Sequence, residues 1–302
     1  MDVTALERTL RERPGDEVSW GAYGGWLREQ GDARGELIHL EQRHAHARPA
    51  DRDGLERRID LLVAEHGPAW DAELPSPVTV RARRHGFAVE VAVAWSEQAP
   101  PLIRQALRGR FVTGLLIRPG DEAQEADEEY YNDEPDWDED GVPLPPPPHD
   151  AGAMADLDFG DLTALRLPYL RIGDPGAEAL AAASSNGRIE TLDLRYCGIG
   201  DAGLAALGAS PAFRNVRCLH LQSNRLTATG VRALARFERL EELDLRYNRI
   251  GAEGAQALIE APFAGSLGRL LLHRRDVSDA GVERLAHASQ LPTALRSFWR
   301  SV

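Results

Sequence analysis

From residue 162 onward, aliphatic residues recur on one pattern, Leu-x-x-Leu-x-Leu-x-x-(Asn/Cys)-x-(Leu/Ile). The copies are Leu162/Leu165/Leu167/Ile172, Ile189/Leu192/Leu194/Cys197/Ile199, Val216/Leu219/Leu221/Asn224/Leu226, Leu240/Leu243/Leu245/Asn248/Ile250 and Leu267/Leu270/Leu272/Val277. Alternation inside each copy, as in Leu192-Asp193-Leu194, predicts a short strand with its leucines turned inward. Glycines Gly176, Gly203, Gly230, Gly254 and Gly281 keep the same step, and each is followed four residues later by Leu180, Leu207, Leu234, Leu258 or Leu285. That spacing predicts a helix after every strand, with Asp201 or Ser278 placed to cap it. The asparagines are expected to turn inward and satisfy backbone groups where the chain leaves the strand. One such unit cannot bury its apolar side alone, so successive units must stack.

These two ladders resemble the leucine-rich repeat in its longer, ribonuclease-inhibitor-like form. The resemblance implies an α/β solenoid, with a parallel sheet on the concave side and helices outside. Weaker copies at Gly86–Val91 and Val112–Ile117, joined by a helical Pro101–Leu107 stretch, extend the expectation upstream as degenerate repeats over 76–120. Residues 121–150 are acidic and proline-rich, and are expected to form a disordered insertion before a solenoid at 151–302. A final strand near Leu295–Trp299 is expected to close the C-terminal end.

Residues 1–75 differ in kind. Val3, Leu6 and Leu10, and later Leu55, Ile59, Leu62 and His66, follow helical spacing, with Asp53 and Glu56 as a candidate capping box. Between them, Trp26-Leu27, Gly31-Asp32 and Gly35-Glu36-Leu37-Ile38 resemble the core of a short helical domain that accompanies repeats in some bacterial proteins. A small N-terminal all-α domain, capping the solenoid, is the expectation.

Charge then narrows the chemistry. All 35 basic residues are arginine, which excludes lysine-dependent chemistry such as P-loop phosphate binding or Schiff-base formation. The net charge of -13 is local, because residues 121–140 hold twelve carboxylates and no arginine. The remainder is close to neutral, so nucleic acid is not an expected partner. Two cysteines, a charged start at Met1–Arg8 and no long apolar window point to a cytoplasmic chain that neither enters nor crosses a membrane.

On parallel strands, equivalent positions stack in rows. The fifth position gives Arg166, Asp193, His220, Asp244 and Leu271. The seventh gives Arg118, Pro168, Arg195, Gln222, Arg246 and His273, and the eighth Tyr169, Tyr196, Ser223, Tyr247 and Arg274. Tyrosine and arginine are the residues that protein contacts favour. The expected function is therefore a non-enzymatic scaffold, monomeric on its own. Its partner contacts are Arg166, Tyr169, Asp193, Arg195, Tyr196, His220, Gln222, Asp244, Arg246, Tyr247 and His273. The competing expectation is that the aspartates simply neutralise the arginines within this face.

Long repeats with an acidic tract also resemble Ran GTPase-activating protein, which implies regulation of a small GTPase as the alternative. A Cys218/His220 hydrolase ranks third, because parallel strands spread side chains apart and offer no oxyanion hole. No cofactor and no metal site is expected. Asp136-Trp-Asp138-Glu-Asp140-Gly141 opens like a calcium loop, but Pro147 stands where the bidentate glutamate belongs.

Overall fold

The computed structural model describes residues 2–121, 124, 125 and 147–301, so the expectations for 126–146, the disordered insertion and the calcium-loop-like Asp136–Gly141 among them, lie outside the described residues. The chain divides into two compact units: Met1–Val93 with Gln105–Gly114, and Ala94–Arg104 with Leu115–Val302.

The first unit begins with four helices, α1 (Val3–Glu12), α2 (Glu17–Glu29), α3 (Arg34–Ala45) and α4 (Pro49–Asp71). Asp2 and Asp16 cap the first two, accepting from the backbone N–H groups of Ala5 and Ser19 at 3.1 Å each. The two Ser19 bonds hold the Asp16 carboxyl below its ordinary range. Gly31 (φ +74°) turns the chain, and the Asp32 carboxylate accepts from Arg34 N–H at 2.9 Å as α3 starts. A side chain at Gly35 would come within 2.6 Å of the Gly24 carbonyl oxygen and 2.7 Å of Arg28 N. That close crossing of α2 and α3 explains why glycines stand inside both helices. Asp53 does not cap α4, contrary to the expectation. The helix starts four residues earlier at Pro49, whose fixed φ suits the first turn.

Trp20, Tyr23, Phe87 and Phe111 form the aromatic centre of this unit, with Leu10, Leu27 and Ile38 around them. Phe87 comes from a hairpin that the sequence did not announce: β1 (Thr79–Arg84) pairs antiparallel with β2 (Phe87–Ala94). His85 and Gly86, both at positive φ, make the turn. The stretch α5 (Ala99–Ala106) is helical as expected, and β3 (Gly114–Arg118) follows it.

The second unit is a stack of strand–helix pairs. Strands β4 (Ala164–Arg166), β5 (Thr191–Asp193), β6 (Cys218–His220), β7 (Glu242–Asp244) and β8 (Arg269–Leu271) pair in parallel and in chain order. Leu165, Leu192, Leu219, Leu243 and Leu270 are register partners from strand to strand, and all are buried. Between them run α6 (Gly173–Ala182), α7 (Asp201–Ala209), α8 (Ala228–Ala233) and α9 (Gly251–Glu260). Leu180, Leu207 and Leu258 within them, and Leu234 just past the end of α8, are at most 1% exposed, so both apolar ladders meet in one core.

Polar ladders tie each pair to the next. Asn224 donates to the carbonyls of Leu194 (2.8 Å) and Leu221 (3.0 Å) and accepts from Ile199 N–H at 2.8 Å. Asn248 repeats this with Leu221, Leu245 and Leu226, and the buried Cys197 thiol reaches the Leu167 carbonyl at 3.0 Å. Helix capping is handed forward. Asp201 sits inside the first turn of α7, not at its cap, and accepts from Thr227 N–H (2.9 Å) ahead of the next helix. Asp174 likewise accepts from Gly200 N–H (2.6 Å) and Gly203 N–H (3.0 Å).

The C-terminal end departs from the expectation once. Ser278 (φ 65°, ψ 169°) stands at a kink within α10 (Arg274–His287), between two helical stretches and where the second of them starts. Residues Thr293–Ser301 are a helix, α11, not a strand. Leu295 and Trp299, four apart, are both buried, which is helical and not alternating spacing.

Candidate functional site

Alternation along β4–β8 puts the fifth-position residues on the sheet face opposite the buried leucines. There the register aligns Arg166 with Asp193, Asp193 with His220, His220 with Asp244, and Asp244 with Leu271. Asp193 and Asp244 are nevertheless only 2% and 3% exposed. Each lies beneath the arginine two residues later in its own repeat. Arg195 donates to Asp193 through Nε (2.8 Å) and Nη2 (2.6 Å), and Arg246 to Asp244 at 2.9 and 2.7 Å. These fork-to-fork bonds hold both guanidiniums more firmly protonated than usual.

The pairs are joined across repeats. Arg246 Nη2 donates to Gln222 Oε1 at 3.1 Å, and Gln222 Nε2 donates to the Tyr196 hydroxyl at 3.0 Å. His220 Nε2 lies 3.2 Å from Glu242 Oε1, which also receives Arg269 at 3.0 Å. Asp193 and Asp244, expected as partner contacts, therefore cannot touch a partner while their arginines cover them. Mutual neutralisation is the arrangement found.

The aromatic row is exposed. Tyr169 is 56% and Tyr247 57% accessible, whereas Tyr196 is half-buried. The Tyr169 and Tyr196 rings stack with centroids 4.5 Å apart and 13° between planes. Tyr247 packs at 4.5 Å against His273, which stands at the N-terminal cap of α10. Tyr169, Tyr196, Ser223 and Tyr247 all have φ between 55° and 65°. Left-handed backbone is uncommon for bulky residues, so four repeats hold this row in a conformation that costs free energy.

One contributor escaped the pattern. Asp276 is buried, and its Oδ2 accepts from His273 N–H (2.7 Å) and Tyr247 N–H (3.2 Å). It anchors the Tyr247 turn where the last copy carries exposed Arg275 at the asparagine position. A polar residue one place beyond that position was the available signal.

The cysteines offer little nucleophilicity. Burial first, then the charges of Glu242 and Glu241, pushes the Cys218 thiol above its ordinary value, and burial raises Cys197 further. Among the described residues no three His, Cys, Asp or Glu side chains converge as metal ligands, and no helix is long and apolar enough to cross a membrane.

A leucine-rich-repeat family model matches residues 189–208, 214–235 and 240–258. Residues 189–258 form three leucine-rich repeats. The matched leucine-rich repeats carry β5, β6 and β7, and with them both Asp–Arg pairs, Tyr196, Gln222 and Tyr247. A comparison with curated proteins found no match to the chain.

Proposed function

We propose that the open sheet face is a protein-contact surface, and that the chain is a non-enzymatic scaffold that works through it. The observation that carries this reading is the exposure of Tyr169 and Tyr247 on side chains already held by ring packing and left-handed turns. Large aromatic area presented with little rotamer freedom is what binding hot spots are made of. Arg195 and Arg246 contribute their outer edges, and Arg166, Tyr196, His220, Gln222 and His273 fill the surface between. The same reading keeps a helical domain over 1–75, degenerate repeats over 76–120 and a repeat solenoid from 151, in a cytoplasmic monomer.

Capture from native lysate tests it. Tyr169→Ala and Tyr247→Ala should each weaken binding of the captured protein by about 2 kcal/mol, roughly thirtyfold, with little change in thermal midpoint. Arg232→Ala and Arg236→Ala on the helical side should leave capture unchanged. The reverse outcome, with helix-side changes abolishing capture and both tyrosine changes tolerated, sinks the assignment.

A further inference from the structure

Charge is divided unevenly over the open face. Where the chain enters β5, β6 and β7 stand Glu190, Arg217 and Glu241, and Arg217 is already paired with Glu241 at 2.6 Å. Where it leaves the strands, arginine gathers. Arg195 and Arg246 hold the seventh position of their copies, and Arg171, Arg225 and Arg249 the tenth, two residues beyond the tyrosine row. Between the seventh and tenth positions the copies carry one acid, Asp276, which is buried on the backbone N–H groups of His273 and Tyr247.

These exit arginines are positioned as well as exposed. Arg225 lays Nε and Nη2 on the Gly198 carbonyl at 2.9 and 2.6 Å, in the space that a side chain at Gly198 (φ +67°) would contest. Asp193 and Asp244 hold Arg195 and Arg246 from below, leaving those side chains 38% and 34% exposed. Arg249 is exposed and has no hydrogen-bond or ion-pair partner among the described residues. Guanidiniums fixed in this way lose little freedom when a carboxylate arrives.

We infer that the open face takes an acidic segment of its partner protein, an extended run of carboxylates alternating with aromatic side chains, laid across the strand exits. This rests on the open face being the contact surface and adds the chemistry of what it contacts. Parallel strands lie about 4.8 Å apart and an extended chain rises about 3.3 Å per residue, so about six residues cross from β4 to β8. Their carboxylates meet Arg225, Arg246 and Arg249, and the side chains between them lie on Tyr169 and Tyr247. Nucleic acid is the other polyanion that arginine and tyrosine suit. Here the tyrosine rings pack on Tyr196 and His273 and leave no slot between them for a base, and the chain's net charge of -13 repels a long phosphate backbone.

Fluorescence anisotropy with the full chain tests this. The probes are a short labelled peptide alternating glutamate with tyrosine, its glutamine counterpart, and a single-stranded oligonucleotide of equal charge. At low salt the glutamate peptide should bind at least about tenfold more tightly than the glutamine peptide, and added salt should shrink the difference. Arg225→Gln combined with Arg249→Gln should weaken the glutamate peptide at least about tenfold with the thermal midpoint unchanged. Arg249→Glu should weaken it more than Arg249→Gln, and Arg232→Gln on the helical side should match the parent chain. The inference is overturned if the glutamate peptide fails to bind at millimolar concentration, if both peptides bind alike, if the paired arginine changes are silent, or if the oligonucleotide binds more tightly than the peptide. Should it fall while Tyr169→Ala and Tyr247→Ala still weaken capture from lysate, only the acidic chemistry is lost. Capture that survives both tyrosine changes removes the contact surface itself.

Discussion

Asn248 shows how much one side chain can hold. It satisfies Leu226 N–H and the carbonyls of Leu221 and Leu245, all inside the stack. Alanine there strands buried backbone groups at about 1–3 kcal/mol each, so Asn248→Ala should cost about 3 kcal/mol or more in urea unfolding. The neighbouring exposed Arg249→Ala should stay within about 0.5 kcal/mol. Cys197 does the same work with a thiol, which is why a buried cysteine can occupy an asparagine position. Cys218 makes a contrasting case. Its raised pKa means the thiolate is scarcer in the folded chain than in a free thiol at neutral pH. Alkylation by iodoacetamide should therefore be slower than for free cysteine at pH 7 and accelerate only well into the alkaline range. Rapid modification near neutrality would reopen the case for a Cys218 nucleophile.

At the scale of elements, what fixes the spacing of the helices is the forward-handed aspartate cap. Asp201 reaches over the start of α8, and a methyl group at Gly230 would drive into the Asp201 carboxylate, with Leu226 3.2 Å away. Gly230→Ala should destabilise despite the ~1 kcal/mol that alanine gains in a helix. Asp201→Ala alone should cost about 1 kcal/mol by removing the acceptor for the Thr227 N–H and hydroxyl at the start of α8. Together the two should cost clearly less than their sum, because the second change removes the clash that the first creates. Strict additivity in thermal unfolding would mean that the glycine ladder has another cause. The ladders themselves were legible because burial recurs at fixed positions, and the strands fell on the expected leucines. The aspartate bridges were not, since Asp174 and Asp201 bond the backbone of the following repeat, 26 residues on. The hairpin β1–β2 was hidden for a different reason. Arg81, Arg83 and Arg84 crowd β1 with charge, so it lacks an alternating apolar signal. On the open face, sequence placed the rows correctly but not the exposure, because Arg195 and Arg246 sit two residues from the aspartates they cover.

The strand–helix stack is held mostly by contacts between neighbours, so its ends govern how it opens. At the C-terminal end the asparagine ladder stops, Asp276 substitutes for it, and Ser278 breaks the last long helix. α11 closes that end with Trp299, which is 1% exposed. Removing the indole leaves a cavity that the surrounding α10 residues cannot fill, at about 3–5 kcal/mol. In a nearest-neighbour stack that loss falls first on the elements it touches. Hydrogen exchange of Trp299→Ala should therefore show faster exchange in α10 and β8, less change in β7, and near-parental protection in β4 and β5. Uniform loss of protection from β4 to β8 would instead show that the whole stack opens as one cooperative block. In that event the open face could not be altered at one end and preserved at the other, and the two tyrosine anchors would have to be lost together.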